Sequence, residues 1–328
     1  MKKLTILILS LIMLILPLSA CGKDKGRTIE LNEVTHSVFY TPLYVAIENG
    51  YFKDENLTVN LTNGGGADNS MTAVLSGTAD VGLMGPETVI YVKNQGKKDC
   101  PVVFGQLTDK DGSFLVSRKS EPDFKWENLK GKEILAGRKG GVPAMTFEYA
   151  LKESGLIVNK DYTLNFDVQF NLMTSAFLSG TADYCTVFEP TASEYESEGK
   201  WHVVASVGEK SGSLPYTSFI ALGSYLKNNE DTVKSFLKGL KKAMDYMSNH
   251  TELEVAESII KQFPSTTIKS VETSIKSYKK IGAWKTNLQA TESQFERLQA
   301  IMKHAGELKE TVPFTDLVDN TYAKAIFG

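Results

Sequence analysis

Six consecutive residues occur twice in this chain. Leu75-Ser76-Gly77-Thr78-Ala79-Asp80 returns, letter for letter, as Leu178-Ser179-Gly180-Thr181-Ala182-Asp183. The likeness extends outward. Met71-Thr72-Ala73-Val74 precedes the first copy and Thr174-Ser175-Ala176-Phe177 the second. An apolar run follows each, Val81 to Met84 and Tyr184 to Phe188, and each run leads into a proline and a glutamate, Pro86-Glu87 in one and Glu189-Pro190 in the other. An interval of about 100 residues is too long for a solenoid, so the repeat marks two related globular halves.

Each copy reads as a helix, a tight turn, a buried strand and a second helix. Gly77 and Gly180 stand where a helix C-cap needs positive φ, and Asp80 and Asp183 close the turn before a short apolar strand. Upstream, Val34 to Tyr40 and Lys132 to Arg138 are expected first strands. Pro42 and Pro143 fall where helices begin, a position that tolerates proline. Gly50 and Gly155 end those helices, and second strands are expected at Leu57 to Leu61 and Tyr162 to Phe166. Strands alternating with helices in both halves define an α/β class with two similar lobes. Tyr216 to Leu222 reads as a further strand. Beyond it, Val233 to Met247, Val255 to Phe263 and Phe295 to Met302 carry apolar residues at helical spacing, and are expected to pack mainly on the first lobe. Gly112 to Arg118 and Leu214 to Leu222 are the expected crossover segments.

The N-terminus points outside the cytoplasm. Met1-Lys2-Lys3 is a short positive region, and Leu4 to Leu16 is an apolar run shorter than the ~20 residues that span a bilayer. Small residues follow, ending in Leu18-Ser19-Ala20-Cys21, the pattern of a secretory signal. This run resembles the lipobox of bacterial lipoproteins, which implies that Cys21 is diacylated and becomes the mature N-terminus. Two or more acyl chains anchor stably, and Gly22 to Gly26 is a polar tether. The expected organisation is a signal peptide over 1–20, a tether over 21–28, a first lobe over 29–112 and 218–328, and a second lobe over 113–217.

Removing residues 1–20 takes away Lys2 and Lys3 and no acid, moving the formal net charge from −3 to −5. Without a basic cluster there is no footprint for nucleic acid. Cys100 and Cys185 fall in different halves of the repeat and read as free buried thiols rather than a disulfide framework. The four histidines, His36, His202, His250 and His304, lack metal-ligand spacing. No cofactor and no metal are expected.

The segment Thr41-Pro42-Leu43-Tyr44-Val45-Ala46-Ile47-Glu48-Asn49-Gly50-Tyr51-Phe52 resembles the P-x-Y-V-A-x-E-x-G-Y-F opening of one solute-binding family. That family serves ABC importers of nitrate, taurine, aliphatic sulfonates and thiamine-pyrimidine precursors. Ala73 to Gly82 is similar to its small-x-x-L-x-x-G-x-x-D-x-G pattern, and Asn128-Leu129-Lys130-Gly131-Lys132-Glu133-Ile134 to its D-L-K-G-K-x-(V/I) segment. The resemblance implies a two-lobed type II periplasmic-binding-protein fold and ligand held between the lobes. It further implies a permease and an ATPase as partners, and a monomer on the outer face of the membrane.

Ligands of open α/β sheets sit beyond the carboxyl ends of strands, against helix N-termini. In the first half that rule selects Ser37, Phe39 and Tyr40 after the first strand, with Gly65, Gly66, Ala67 and Asp68 opening the next helix. In the second half it selects Gly140, Gly141, Val142 and Met145, with Arg138 or Lys139 as added charge. Pro86, Glu87 and Glu189 follow the repeated strands. The two glutamates are read as acceptors for amino or hydroxyl groups of a ligand, or as surface or cap residues. Phe39, Tyr40, Phe188 and Tyr216 can stack on a planar ligand. Gln106 and Thr108 are expected on the hinge side, and Trp284 as a cleft wall.

A pyrimidine-type ligand fits these groups. Glu33-Val34 stands where thiamine-pyrimidine members often carry Asp-Trp, which leaves sulfonate, taurine or nitrate as the alternative. A pyrimidine synthase on the same fold is a further one, requiring a catalytic histidine and lysine beside a cofactor; His36 is the only histidine expected near the cleft.

Overall fold

The computed structural model describes residues 26–328. The signal peptide and Cys21 lie outside the described residues, as does most of the tether. No helix among the described residues is long and apolar enough to cross a membrane.

Two five-stranded mixed sheets organise the chain. The first holds β1 (Arg27–Glu33), β2 (Leu57–Asn63), β3 (Val81–Met84), β4 (Pro101–Thr108) and β10 (Thr217–Leu222), in the order β2-β1-β3-β10-β4. The second holds β5 (Ser113–Ser117), β6 (Glu133–Leu135), β7 (Thr163–Leu164), β8 (Tyr184–Phe188) and β9 (His202–Ser206), in the order β7-β6-β8-β5-β9. In each sheet one antiparallel strand supplied by a lobe crossing separates the last strand from parallel neighbours, β10 in the first and β5 in the second. This arrangement defines a two-lobed α/β protein.

Helices α1 (Thr41–Glu48), α2 (Ala67–Ser76) and α3 (Glu87–Asn94) belong to the first half. Their counterparts are α4 (Val142–Lys152), α5 (Met173–Ser179) and α6 (Thr191–Ser197), followed by α7 (Val207–Ser211). The C-terminal part adds α8 (Gly223–Asn228), α9 (Glu230–Asn249), α10 (Glu252–Ile259), α11 (Ile268–Ile281), α12 (Glu292–His304), α13 (Phe314–Leu317) and α14 (Thr321–Phe327).

The repeated hexapeptide makes the same strap twice. Gly77 and Gly180 close α2 and α5 in the left-handed conformation, at φ 75° and 103°. Asp80 Oδ2 accepts from Glu30 N at 2.9 Å while Asp80 N donates to Glu30 O at 2.8 Å. Asp183 repeats both bonds on Glu133, at 3.0 and 2.9 Å. One aspartate thus ties the helix-to-strand turn to the first strand of its own sheet. The strands that follow match the expected runs, and Pro42 and Pro143 sit in the first turns of α1 and α4.

Three expectations are corrected. Val34 to Tyr40 is not a strand: β1 ends at Glu33, and Ser37 caps a 3₁₀ turn over Val38–Tyr40, its Oγ accepting from Phe39 N at 3.2 Å. Residues of high β propensity are here wound tightly because they are wholly buried beneath the lobe junction. The crossovers are not Gly112 to Arg118 and Leu214 to Leu222, most of which are β5 and β10, buried inside the sheets. The chain passes between lobes at 109–112 and 212–216, and Thr217 pairs with Thr108 in the first sheet. Finally, Cys100 is only half-buried, whereas Cys185 is buried; both are free.

The C-terminal helices pack on the first lobe through α9, whose Phe236 stacks on Phe52 at 5.2 Å and meets Phe219 edge-on at 5.1 Å. Burying one such ring contributes ~2–3 kcal/mol. Helices α11 and α12 also reach the second lobe, against α6 and α4. Arg297 joins Glu153 and Ser211 O, and Ser270 Oγ donates to Glu194 at 2.8 Å. The lobes are therefore in contact along this side.

Candidate functional site

The cleft is built where the carboxyl ends of both sheets meet. Val34 and Thr35 leave β1, and Tyr40 ends the 3₁₀ turn. Gly66 and Ala67 open α2. Across the gap, Gly141 and Val142 open α4, with Pro143 in its first turn. Neither α2 nor α4 is capped by its own N-cap side chain; in α4 the Val142 amide is instead met from the other lobe. Phe188 at the end of β8 and Phe170 complete the second-lobe wall, and Tyr216 and Thr217 form the hinge side. The cavity they bound measures ≈ 60 Å³, against about 10–15 Å³ for a single water, so the cleft has room for a small group.

Glu87 is the principal polar group in this cavity. It is 1 % exposed. Its Oε1 accepts from Val142 N across the gap at 3.3 Å, while Oε2 is buried with no hydrogen-bond partner. Burial raises its carboxyl to about 7, against the opposing pull of the Arg138 guanidinium and the Val142 amide. Gly85 is required beside it, because a Cβ there would lie 2.1 Å from Glu87 Oε2. Arg138 is the cation in the lining, and its guanidinium is engaged by Asp68 across the gap at 3.0 Å. Tyr91 Oη donates to Gly140 O at 2.8 Å, and Ser37 Oγ to Glu189 O at 2.9 Å. These bonds all run from one lobe to the other and hold the cleft closed.

The aromatic side chains form one connected wall. The Phe39 ring lies 5.9 Å from those of Phe188 and Tyr216 and 4.8 Å from that of Tyr278, and Phe170 meets Phe188 edge-on at 6.1 Å. Burial raises the Tyr40 and Tyr216 hydroxyls far above the ordinary tyrosine range, so both stay protonated.

Of the residues expected at the site, the cavity brings together Tyr40, Gly66, Ala67, Glu87, Gly141, Val142, Phe188 and Tyr216. The others stand around it. Ser37 and Glu189 border an adjoining polar cavity of ≈ 170 Å³, which shares Thr35, Phe170 and Phe188 with the first. The Glu189 carboxylate caps α6, with Oε2 accepting from Ser193 N and Oγ at 3.0 and 2.8 Å. Phe39 lies behind the wall. Asp68 and Gly140 hold rim contacts, and Gly65 turns the loop at φ 67°, donating to Asn63. Pro86 precedes α3, and Met145 receives a long contact from Tyr91 Oη. Gln106 is buried in β4, its Nε2 on Thr108 O and Asp109. Trp284 lies behind Phe39, donating to its carbonyl at 2.8 Å, and faces a separate groove.

Sequence reasoning missed Thr35, Gly85, Phe170 and Thr217. Thr35 was hidden by the misplaced end of β1; Phe170 lies in a segment with no periodicity to flag it. His36, the histidine that an enzymatic reading would use, is spoken for: Nδ1 pairs with Glu33 at 2.6 Å and Nε2 meets Gln262 O at 2.8 Å. Neither lysine nor histidine is among the described residues lining the central cavity.

This architecture is that of the periplasmic binding proteins. It is similar to the alkanesulfonate-binding protein SsuA from Xanthomonas axonopodis pv. citri bound to MOPS, with a TM-score of 0.71, 16% identity, and coverage of 90% of this chain and 98% of that one. The nitrate-binding protein NrtA from Synechocystis PCC 6803 also superposes, at a TM-score of 0.62 and 16% identity over 75% of this chain and 69% of that one.

The profile of the family described as NMT1/THI5 like matches residues 38–254, and the chain belongs to that family. YtlA of Bacillus subtilis (strain 168), which is described as a binding protein, is 43% identical over 316 residues, 96% of this chain and 95% of that protein. A 4-amino-5-hydroxymethyl-2-methylpyrimidine phosphate synthase from Candida albicans (strain WO-1) is 27% identical over 67% of this chain and 66% of its own length.

Proposed function

We propose that this chain is the extracytoplasmic ligand-capturing protein of an ABC importer, tethered by lipid on Cys21. Its ligand is a small planar heterocycle bearing an amino group, of the aminopyrimidine type, held between the lobes. The observation that carries this reading is Glu87 Oε2, a buried acceptor without a partner in an aromatic-walled cavity. A buried polar atom left unsatisfied costs about 1–3 kcal/mol, and a ligand N–H donor removes that cost. Tyr40, Phe170, Phe188 and Tyr216 supply flat apolar faces for the ring.

Charge argues against an anionic ligand. Asp68 already neutralises the Arg138 guanidinium, and Glu87 Oε1 occupies the Val142 amide that an anion would otherwise take. What favours the anion reading is the first turn of α2, free of any side-chain cap. Ligand bridging both lobes favours the closed form, and the closed shape is the one offered to the permease.

A thermal-shift panel tests this directly. The protein is expected to gain stability with 4-amino-5-hydroxymethyl-2-methylpyrimidine, by about 2.7 kcal/mol at one hundred times Kd, and none with taurine, alkanesulfonates or nitrate. Stabilisation by those anions alone overturns the reading, and turnover of the pyrimidine would move the chain to the enzymes.

A further inference from the structure

Both ring nitrogens of His36 meet an acceptor. Gln262 O, in the turn that follows α10, lies 2.8 Å from Nε2, and Glu33 Oε1 lies 2.6 Å from Nδ1. A carbonyl only accepts, so the bond to Gln262 takes the Nε2 proton. A neutral imidazole would then turn a bare lone pair on Nδ1 toward Glu33, and two acceptors so close would repel. The contact therefore holds a second proton, and His36 and Glu33 form a protonated pair. Glu33 is 1 % exposed, at the end of β1. The His36 ring packs against those of Tyr44 and Phe263, at 4.8 and 4.9 Å. Its exposed part, 31 % of the side chain, lines the polar cavity beside the cleft, so protons from solvent reach it.

From this pair a chain of bonds crosses to the second lobe. Glu33 Oε2 accepts from Tyr44 Oη at 2.7 Å, and Tyr44 Oη in turn accepts from Ser37 N at 3.2 Å. That bond fixes the start of the 3₁₀ turn. Ser37 Oγ then donates to Glu189 O at 2.9 Å, one of the bonds that run between the lobes. Glu189 N donates to Tyr278 Oη at 2.9 Å, so the receiving segment is itself held. The titratable groups facing His36 are Glu33 from β1, Tyr44 from α1 and, across the cavity, Glu189; Glu48 reaches it only by accepting from Gln262 Nε2. Neither lysine nor arginine is among the described residues lining that cavity.

We propose that His36 is a positioning residue for capture: the proton it shares with Glu33 holds, through Tyr44, the Ser37 amide and hydroxyl that make the bond to Glu189 when the lobes close. Capture is thereby coupled to that proton. Its loss leaves Nδ1 and Glu33 facing each other as two acceptors, the pair separates, and the turn that carries Ser37 loses its support. Burial pulls the His36 pKa down, but Glu33 and the Gln262 carbonyl outweigh it and raise the value above the ordinary 6.5. The protonated pair is therefore fully formed below 6.5 and is lost as pH rises through the folded value. By linkage, closing the lobes raises that value further. The coupling rests on the reading that capture closes the lobes, and it holds for any ligand that does so.

Nitrogen-15 NMR of the folded, ligand-free protein reads the pair directly. His36 should titrate with a midpoint above 6.5, both ring nitrogens carrying protons below it; a midpoint at or below 6.5 overturns the proposal. Binding of 4-amino-5-hydroxymethyl-2-methylpyrimidine is then measured from pH 6 to pH 9 in the parent, His36→Gln, Ser37→Ala and the double variant, each shown to be folded by circular dichroism. Across that range the parent's affinity should fall about five- to tenfold more than that of His36→Gln. Glu87, Asp111 and Glu189, all raised by burial, are present in both, so the difference belongs to His36. The double variant should bind no more weakly than the weaker single variant. Equal pH profiles in parent and His36→Gln, or additive losses, overturn the coupling. If the probe binds neither protein, the ligand reading fails, and labels at exposed Lys98 and Lys160, one on each lobe, decide the coupling without ligand. An opening between pH 6 and pH 9 that His36→Gln lacks upholds it, and equal openings overturn it.

Discussion

The two halves of the molecule carry the same hexapeptide, the same strap and corresponding sheet orders, yet they use their glutamates in opposite ways. In the first half the order is Pro86-Glu87, and the carboxylate enters the cavity with one oxygen free. In the second the order is Glu189-Pro190, and the carboxylate turns back to cap α6 through Ser193. Exchanging two neighbouring residues moves a carboxylate from the gap to a helix terminus. A duplicated scaffold can thus keep its architecture in both copies while one copy supplies the ligand's acceptor and the other a stabilising cap.

The sharpest test of that contrast is a matched pair of substitutions. Glu87→Gln should lower affinity for 4-amino-5-hydroxymethyl-2-methylpyrimidine by about 10- to 100-fold, the range of a hydrogen bond to a charged group. Glu189→Gln should change it no more than a few-fold. Equal losses by titration calorimetry would erase the division of labour.

The same asymmetry should be visible as pH dependence. The Glu87 carboxyl stands at about 7 in the folded protein against an ordinary 4.5, so folding takes up a proton. Its effect is neutral below the unfolded value, and stability then falls as pH rises from about 4.5 to 7, by up to ~3 kcal/mol. Asp111, also raised to about 7 by burial, adds a slope of the same sign, as does Glu189, raised by burial. Melting temperatures between pH 5 and 7.5 should therefore decline less steeply in Glu87→Gln than in the parent. Parallel declines would remove Glu87 as the source.

The straps offer a milder comparison. Asp80→Ala should cost about 1–2 kcal/mol by denaturant unfolding and Asp183→Ala less than about 1, because the second aspartate is the more exposed, at 45 % of its side chain. A larger cost for Asp183 would mean that the shorter strand β6 depends more on its strap. Smallest of all, Asp68→Ala or Arg138→Ala should alter stability by no more than ~0.5 kcal/mol, with a salt-dependent change in lobe closure.

Much of this is legible in the sequence. The repeat announced the two lobes, Gly77 and Gly180 their helix ends, and Pro42 and Pro143 their helix starts, since those residues impose backbone conformations locally. Glu87, Tyr40, Val142 and Tyr216 could be placed at the cleft because strand ends and helix starts face it. Other elements depend on tertiary context. Buried Val38 and Phe39 carry strand propensity but obey the Ser37 cap. β5 looks like a linker because it directly follows the passage between lobes, whereas β10 reads as a strand but begins only after the return passage. Helix α11 was overlooked although Thr267 caps it and Val271, Ile275 and Tyr278 line its buried face. Polar residues between those positions diluted the pattern.

The placement of β10 bears on how the chain comes off the ribosome. The second sheet uses consecutive strands and is complete once residue 206 has been made. The first is split until Thr217–Leu222 inserts between β3 and β4. The half that begins the sequence must therefore wait for its fifth strand, which arrives only after the other lobe has been made, and a nascent chain halted before residue 217 should protect the later-encoded lobe from protease while leaving the earlier one open.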